Sequence, residues 1–308
     1  EVAKARAHHL GSENVQVADT FMGLSFCLQN AGNTARALKS AKKAHTTYYQ
    51  AYGETNSLTV DSLERVAELY LCEREKQKAV TVYSKVFSWR KRYYIENTSL
   101  MAETYLHFGV CLREAGQETK ALRCMRRAVS MLMNDSSNKK NVVLLADVVN
   151  QLAITHRTMH HSEEALKAFM QELAIRRDLK DLSPQVYLAH AMLHVGTLQR
   201  EAGNHTEALP FLQEAMTLYE RSEGKGVNYA HAAFEDGLAL VEMRRKQEAQ
   251  DSFIDALLLY RAAGYEDTHP KLEQALQYAR RSGGKRCGCP RKCKDFPCKT
   301  LYSVKFNC

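Results

Sequence analysis

The chain has 308 residues, 45% apolar and 25% charged, with a formal net charge of +8 at pH 7. That length and apolar content can fill one long core or two ordinary domains, which excludes a wholly unstructured chain. No apolar run approaches the roughly 18 residues of a membrane-spanning helix, and no strand-like alternation stands out, so an all-α chain is expected.

Residues 1–9, EVAKARAHH, read as the end of a second helix whose first helix lies upstream, and a loop runs on to residue 17. Counting back 42 residues from Ala44 lands on Val2, which places this piece in register with the repeats downstream of it. Six repeats come next, at about 18–60, 60–101, 102–145, 146–188, 189–229 and 230–264. The clearest, over 99–132, predicts two amphipathic helices. Tyr105, Phe108, Gly109 and Leu112 share a face of the first, Ala121, Met125 and Ala128 share a face of the second, and Gly116 closes the turn.

Aligned on Ala121, the pattern recurs at Ala37, Ala79, Ala165, Ala208 and Ala249, at intervals of 42, 42, 44, 43 and 41 residues. Twelve residues before each anchor alanine stands a small residue: Ser25, Ala67, Gly109, Ala153, Gly196 and Gly237. Seven residues after it come Ala44, Val86, Ala128, Glu172, Ala215 and Ala256, with Glu172 the clear departure. Small residues at such points let paired helices approach closely. A hairpin with one apolar side on each helix cannot bury both alone, so its neighbours must cover it. Residues 270–281, PKLEQALQYARR, predict one more helix that caps the last hairpin within 265–282, and 283–308 form a basic, Cys-rich tail.

The small-residue code in a helix-turn-helix unit resembles the tetratricopeptide repeat superfamily. The commonest version has a period near 34. The longer period here, and the loop phrases LGSENVQVAD at 10–19, YGETNSLTVD at 52–61 and GYEDTHPKL at 264–272, are similar to those of kinesin light chains and like adaptors. The resemblance spans roughly residues 1–281 and implies a right-handed superhelical solenoid whose first helices line a concave groove for extended peptides. It implies a non-catalytic scaffold or adaptor. An alternative is the regulatory arm of a larger signalling ATPase or kinesin motor assembly.

Helical counting then selects residues on the groove side of the first helices. Arg113, Arg157 and Arg200 hold the same position in three consecutive repeats, with Arg65, His107, Asn150, Gln151 and His194 at neighbouring inner positions. Repeated guanidinium groups favour an acidic, extended protein segment held by bidentate carboxylate contacts, and Asn150 suits the peptide backbone. Solvated or locally paired charge is the competing reading, because Glu114 and Glu201 directly follow two of the arginines. No HExxH, GxSxG, GxGxxG or phosphate-loop frame is present, so no enzyme and no cofactor are expected.

The charge is unevenly placed: residues 280–308 hold nine Lys/Arg and one acid, while 1–279 hold 34 of each sign. Nucleic acid is therefore not expected as a partner of the solenoid. Cys27, Cys72, Cys111 and Cys124 fall on predicted helices as small core hydrophobes, which favours a reducing, cytoplasmic setting. In the tail, Cys287, Cys289, Cys293 and Cys298 have a spacing that could place four thiolates around zinc. S-acylation with membrane contact through the flanking Lys/Arg, or a simply solvated tail, are the other readings.

Overall fold

An asparagine closes each inter-repeat loop in the first part of the chain and sets where the next helix starts. Asn14, Asn56, Asn97 and Asn138 each accept a hydrogen bond from a backbone N–H of the first turn beyond it, at 2.8, 2.9, 3.1 and 3.0 Å. Those N–H groups have no partner inside the helix, so the cap supplies one. The computed structural model describes residues 14–135, 138–179, 183–266 and 269–282, together with Arg6 and His9, and the regular elements among them are all α-helices. The tail from 283 to 308, with the zinc candidates Cys287, Cys289, Cys293 and Cys298, lies outside the described residues.

In chain order the helices are α1 (Val15–Asn30), α2 (Thr34–Tyr52), α3 (Ser57–Cys72), α4 (Lys76–Tyr93), α5 (Thr98–Glu114), α6 (Glu118–Asn134), α7 (Lys139–Thr158) and α8 (Ser162–Asp178). They continue as α9 (Gln185–Glu201), α10 (His205–Ser222), α11 (Val227–Glu242), α12 (Lys246–Ala262) and α13 (Pro270–Ser282). α1 to α12 pair as six hairpins. Each turn between first and second helix carries one residue in the left-handed region, at Gly32, Arg74, Gly116, His160, Gly203 and Arg244. The next N–H then reaches back to a carbonyl five residues earlier, as Gln117 does to Leu112 at 2.9 Å. This backbone motif ends a helix and reverses the chain, and it recurs even where the left-handed residue is Arg or His.

The chain divides into two compact units, 1–184 and 185–308. In the first, α2, α4 and α6 each pack on their own first helix and on the first helix of the next hairpin, α8 packs on α7, and α5 also meets α7 directly. In the second, α9 to α13 pack in chain order and α9 meets α11. The core obeys the repeat code. All six anchor alanines are fully buried, and the small residues opposite bring backbone against backbone. A Cβ placed on Gly109 would lie 3.4 Å from the Ala121 carbonyl oxygen, and one on Gly196 would lie 3.3 Å from that of Ala208. Large side chains, among them Tyr83, Met125, Phe169, Leu212 and Phe253, fill the space beside them.

Candidate functional site

Two repeating sets of polar contacts shape the first-helix side. One closes each hairpin on itself. Eleven residues after the anchor alanine, the second helix carries Tyr48, Arg90, Leu132, Arg176, Tyr219 and Tyr260, all buried. Six residues before the small residue, the first helix carries Asp19, Asp61, Glu103, Asp147, His190 and His231. Tyr48 donates to Asp19 at 2.5 Å, Arg90 to Asp61 at 2.8 Å and Arg176 to Asp147 at 2.6 Å, each across 29 residues. Tyr219 and His190 are hydrogen-bonded at 2.7 Å, and the rings of Tyr260 and His231 lie 5.4 Å apart. Only the third hairpin, with Leu132, has an apolar residue at the second-helix position.

Around Arg90 and Arg176 these clasps widen. Glu64 accepts from Arg90 at 2.5 Å, from His107 at 3.0 Å and from the Tyr83 hydroxyl. Burial alone would raise the Glu64 carboxyl, but the His107, Arg90 and Tyr83 donors outweigh it and hold it down to about 2. Burial opposes the charged form of His107, yet the carboxylates of Glu64, Glu68 and Glu103 raise it above the ordinary imidazole value. In the fourth hairpin Arg176 bonds to Glu172 at 3.3 Å and Ser183 at 3.2 Å, and Asn150 donates to Glu172 at 2.8 Å. Glu172, the departure from the small-residue code, is thus a buried partner of Arg176. Burial still pushes its carboxyl up, against the opposing Asn150 and Arg176 donors.

The second set ties one first helix to the next. The arginine ladder position, four residues after the small residue, bonds to the inner position two residues before the small residue of the next hairpin. Gln29 accepts from Arg65 at 2.5 Å, Arg113 donates to Gln151 at 2.8 Å, and Arg200 donates to Glu235 at 2.7 Å. Arg65 is 5% exposed, with Ser25, Gln29 and Glu68 as partners and the Phe26 ring 3.9 Å from its guanidinium carbon. It is a strut between α1 and α3.

The Arg113 side chain is 11% exposed. Its closer partner is the neutral Gln151 amide, with the exposed Glu114 at 3.4 Å. Arg157 is exposed and has no ion pair among the described residues. Arg200 faces two carboxylates, Glu235 at 2.7 Å and Glu201 at 3.6 Å. His107 is exposed at the edge of the Glu64 cluster, Gln151 also donates to Asn150 at 3.3 Å, and His194 is half-buried on α9 in the second unit. The first unit therefore brings His107, Arg113, Asn150, Gln151 and Arg157 to the adjoining helices α5 and α7.

No curated protein matches the chain in sequence. Residues 187–262 match the tetratricopeptide repeat family model. Over those residues the chain is similar to tetratricopeptide repeats. The putative kinesin light chain of Podosopora anserina, with nearly identical TPR-like repeats, superposes at a TM-score of 0.56 and 14% identity, over 68% of this chain and 98% of that one. BtubC (BKLC) of P. vanneervenii gives 0.60 and 14% over 84% and 94%, respectively. Aspartyl phosphate phosphatase F of Bacillus subtilis gives 0.64 and 14% over 90% and 71%. At these identities the likeness is one of fold: helical hairpins packed in chain order.

Among the polar side chains of the first helices, Gln29 and Arg65, Arg113 and Gln151, and Arg200 and Glu235 are already joined to one another. Among the described residues no group of three His, Cys, Asp or Glu side chains could hold a metal ion, and no helix is long and apolar enough to cross a membrane. The clasps of Tyr48 with Asp19, Arg90 with Asp61 and Arg176 with Asp147 were not singled out from sequence. Their signal was available as a complementary pair at a constant separation of 29 residues.

Proposed function

We propose that this tetratricopeptide chain is a non-catalytic scaffold that holds an extended acidic segment of another protein along α5 and α7. The observation that carries the reading is the pair Arg113 and Arg157, which hold the same register position one repeat apart. The first is joined most closely to a neutral amide and the second is exposed. A guanidinium bonded to an amide still has donors and a full charge to offer a carboxylate. His107 adds a third cation when protonated, and Asn150 and Gln151 on α7 are amides whose remaining donors and acceptors can meet a peptide backbone. Arg200, with its own two carboxylates, contributes less charge.

The test is titration of a fluorescent Asp/Glu-rich peptide, and of its Lys-rich counterpart, against the full chain. The acidic peptide binds, affinity falls with added salt as screening shortens the field, and Arg113→Glu with Arg157→Glu weakens binding at least about tenfold. Undiminished binding by the double variant overturns the reading. The likeness to kinesin light chain repeats supports a second reading, in which the chain is the regulatory arm of a larger motor or signalling assembly. Under that reading the ligand is a segment of the assembly's own subunits, and peptides tiled from such subunits would replace the generic acidic peptide.

A further inference from the structure

The near-neutral balance of residues 1–279 conceals a separation of charge among the second helices. Between them α2, α4 and α6 carry fourteen Lys and Arg against one carboxylate, Glu118. The cations repeat in register. Just before the anchor alanine stand Arg36, Lys78 and Lys120, and six residues after it stand Lys43, Lys85 and Arg127, all exposed. At the same two positions the hairpins of the second unit carry Glu207 and Glu248, then Glu214 and Asp255. Basicity is therefore a property of the first three hairpins and not of second helices in general.

Equal register puts these side chains along one flank of each second helix, where Lys43 lies 5.2 Å from the centroid of the Phe21 ring of the first helix α1. Lys42 of α2 and Lys78 of α4 lie 4.7 and 5.8 Å from the centroid of the same Tyr70 ring, so cations of two successive second helices meet across α3. Exposed apolar side chains gather at the far ends of these same helices. Ile95, in the loop after α4, and Met133, in the last turn of α6, are 59% and 56% exposed, the highest values among the large apolar residues described.

We propose that this second-helix face of hairpins one to three docks onto an anionic lipid bilayer. Lys and Arg near such a surface each contribute on the order of 1 kcal/mol at moderate ionic strength. Exposed aliphatic side chains at the ends of the same helices can enter the headgroup boundary, as in interfacial binding. Charge complementarity alone would also suit nucleic acid, but Ile95 and Met133 offer nothing to a phosphate or a base plane. A second copy is the weaker fit, because cations such as Arg245, 2.6 Å from Glu248, interrupt the acidic rows of the second unit.

The test is flotation of the full chain with vesicles of phosphatidylcholine alone and of phosphatidylcholine mixed with phosphatidylserine. Binding to the mixed vesicles only, reduced by salt, is the expected result. Reversing the four charges in Arg36→Glu, Lys43→Glu, Lys78→Glu and Lys85→Glu lowers the bound fraction at least about tenfold. The same four positions as Gln, with helicity checked by circular dichroism, give a milder loss and guard against misfolding. Equal flotation with both vesicle types overturns the proposal. So does undiminished flotation of both variants, which would assign binding to the basic tail. Release from vesicles by a duplex oligonucleotide at equal charge concentration, or binding lost only because a self-associated form dissolves, also overturns it.

Discussion

Replacing Glu64 with Gln tests whether the Glu64–Arg90 cluster holds α3, α4 and α5 together. The Arg90 and Glu64 side chains are 5% and 13% exposed, so the pair lies largely out of water. The carboxyl is held down from its ordinary 4.5 to about 2. At 1.36 kcal/mol per unit, this makes the ionised form worth about 3 kcal/mol to the folded chain at neutral pH. Loss of one partner of a buried pair costs a similar amount, about 3–5 kcal/mol, reduced here because Asp61 stays on Arg90 at 2.8 Å. The folded value lies below the unfolded one, so the contribution is complete above the ordinary carboxylate value and is lost as pH falls toward the folded one. Glu64→Gln therefore destabilises by about 3 kcal/mol at pH 7 and by about 1.4 kcal/mol at pH 3. Amide hydrogen exchange across α3 to α5 is the suitable assay, since repeat arrays open locally. A penalty under about 1 kcal/mol at pH 7, or a gap that does not narrow in acid, would refute the reasoning.

Two further perturbations separate packing from titration. A Cβ on Gly237 would meet the Phe253 ring at 2.8 Å, and one on Gly196 would meet Leu212 at 2.7 Å, whereas one on Gly109 meets flexible Met125 at 3.1 Å. Thermal denaturation should show Gly237→Ala and Gly196→Ala losing about 1–3 kcal/mol by overpacking. For Gly109→Ala the change stays within about 1 kcal/mol, because Ala also favours the helix. At the other end of the second unit, His231 is pushed down to about 4 by burial, by the Lys271 ammonium and by His269. The Lys271 amine lies 2.9 Å from its Nε2. The folded value is below the unfolded one, so stability is lost as pH falls from the ordinary imidazole value toward 4. Exchange in α13 should quicken over that range relative to the unstructured rate, and His231→Phe should abolish the trend.

The hairpins were legible because burial acts on a whole register: Ala121 and Gly109 must be small in every repeat for the backbones to touch. Glu172 could be marked as a departure from that register, but not explained, because its partner Arg176 is defined only once the helix end folds over Asp147. The inner arginines show the same limit more sharply. Helical counting placed Arg65 beside the groove, and nothing in one helix shows that Gln29, 36 residues earlier, takes its guanidinium. Arg157, with the same kind of signal, is exposed. Net charge misled in another way. Summing over 279 residues cancelled the cations of α2, α4 and α6 against carboxylates carried on other helices.

The clasps joining the two helices of one hairpin have a consequence for how such chains change length. Tyr48 with Asp19, or Tyr219 with His190, travels whole if its unit is duplicated, grafted or excised, leaving no orphaned half behind. The second and third hairpins lack that independence, since Glu64 in one holds His107 in the other. Recombination that cuts between them takes His107 from Glu64 and leaves that carboxylate only Arg90 and Tyr83 of its own hairpin, so these two lose a shared contact when separated.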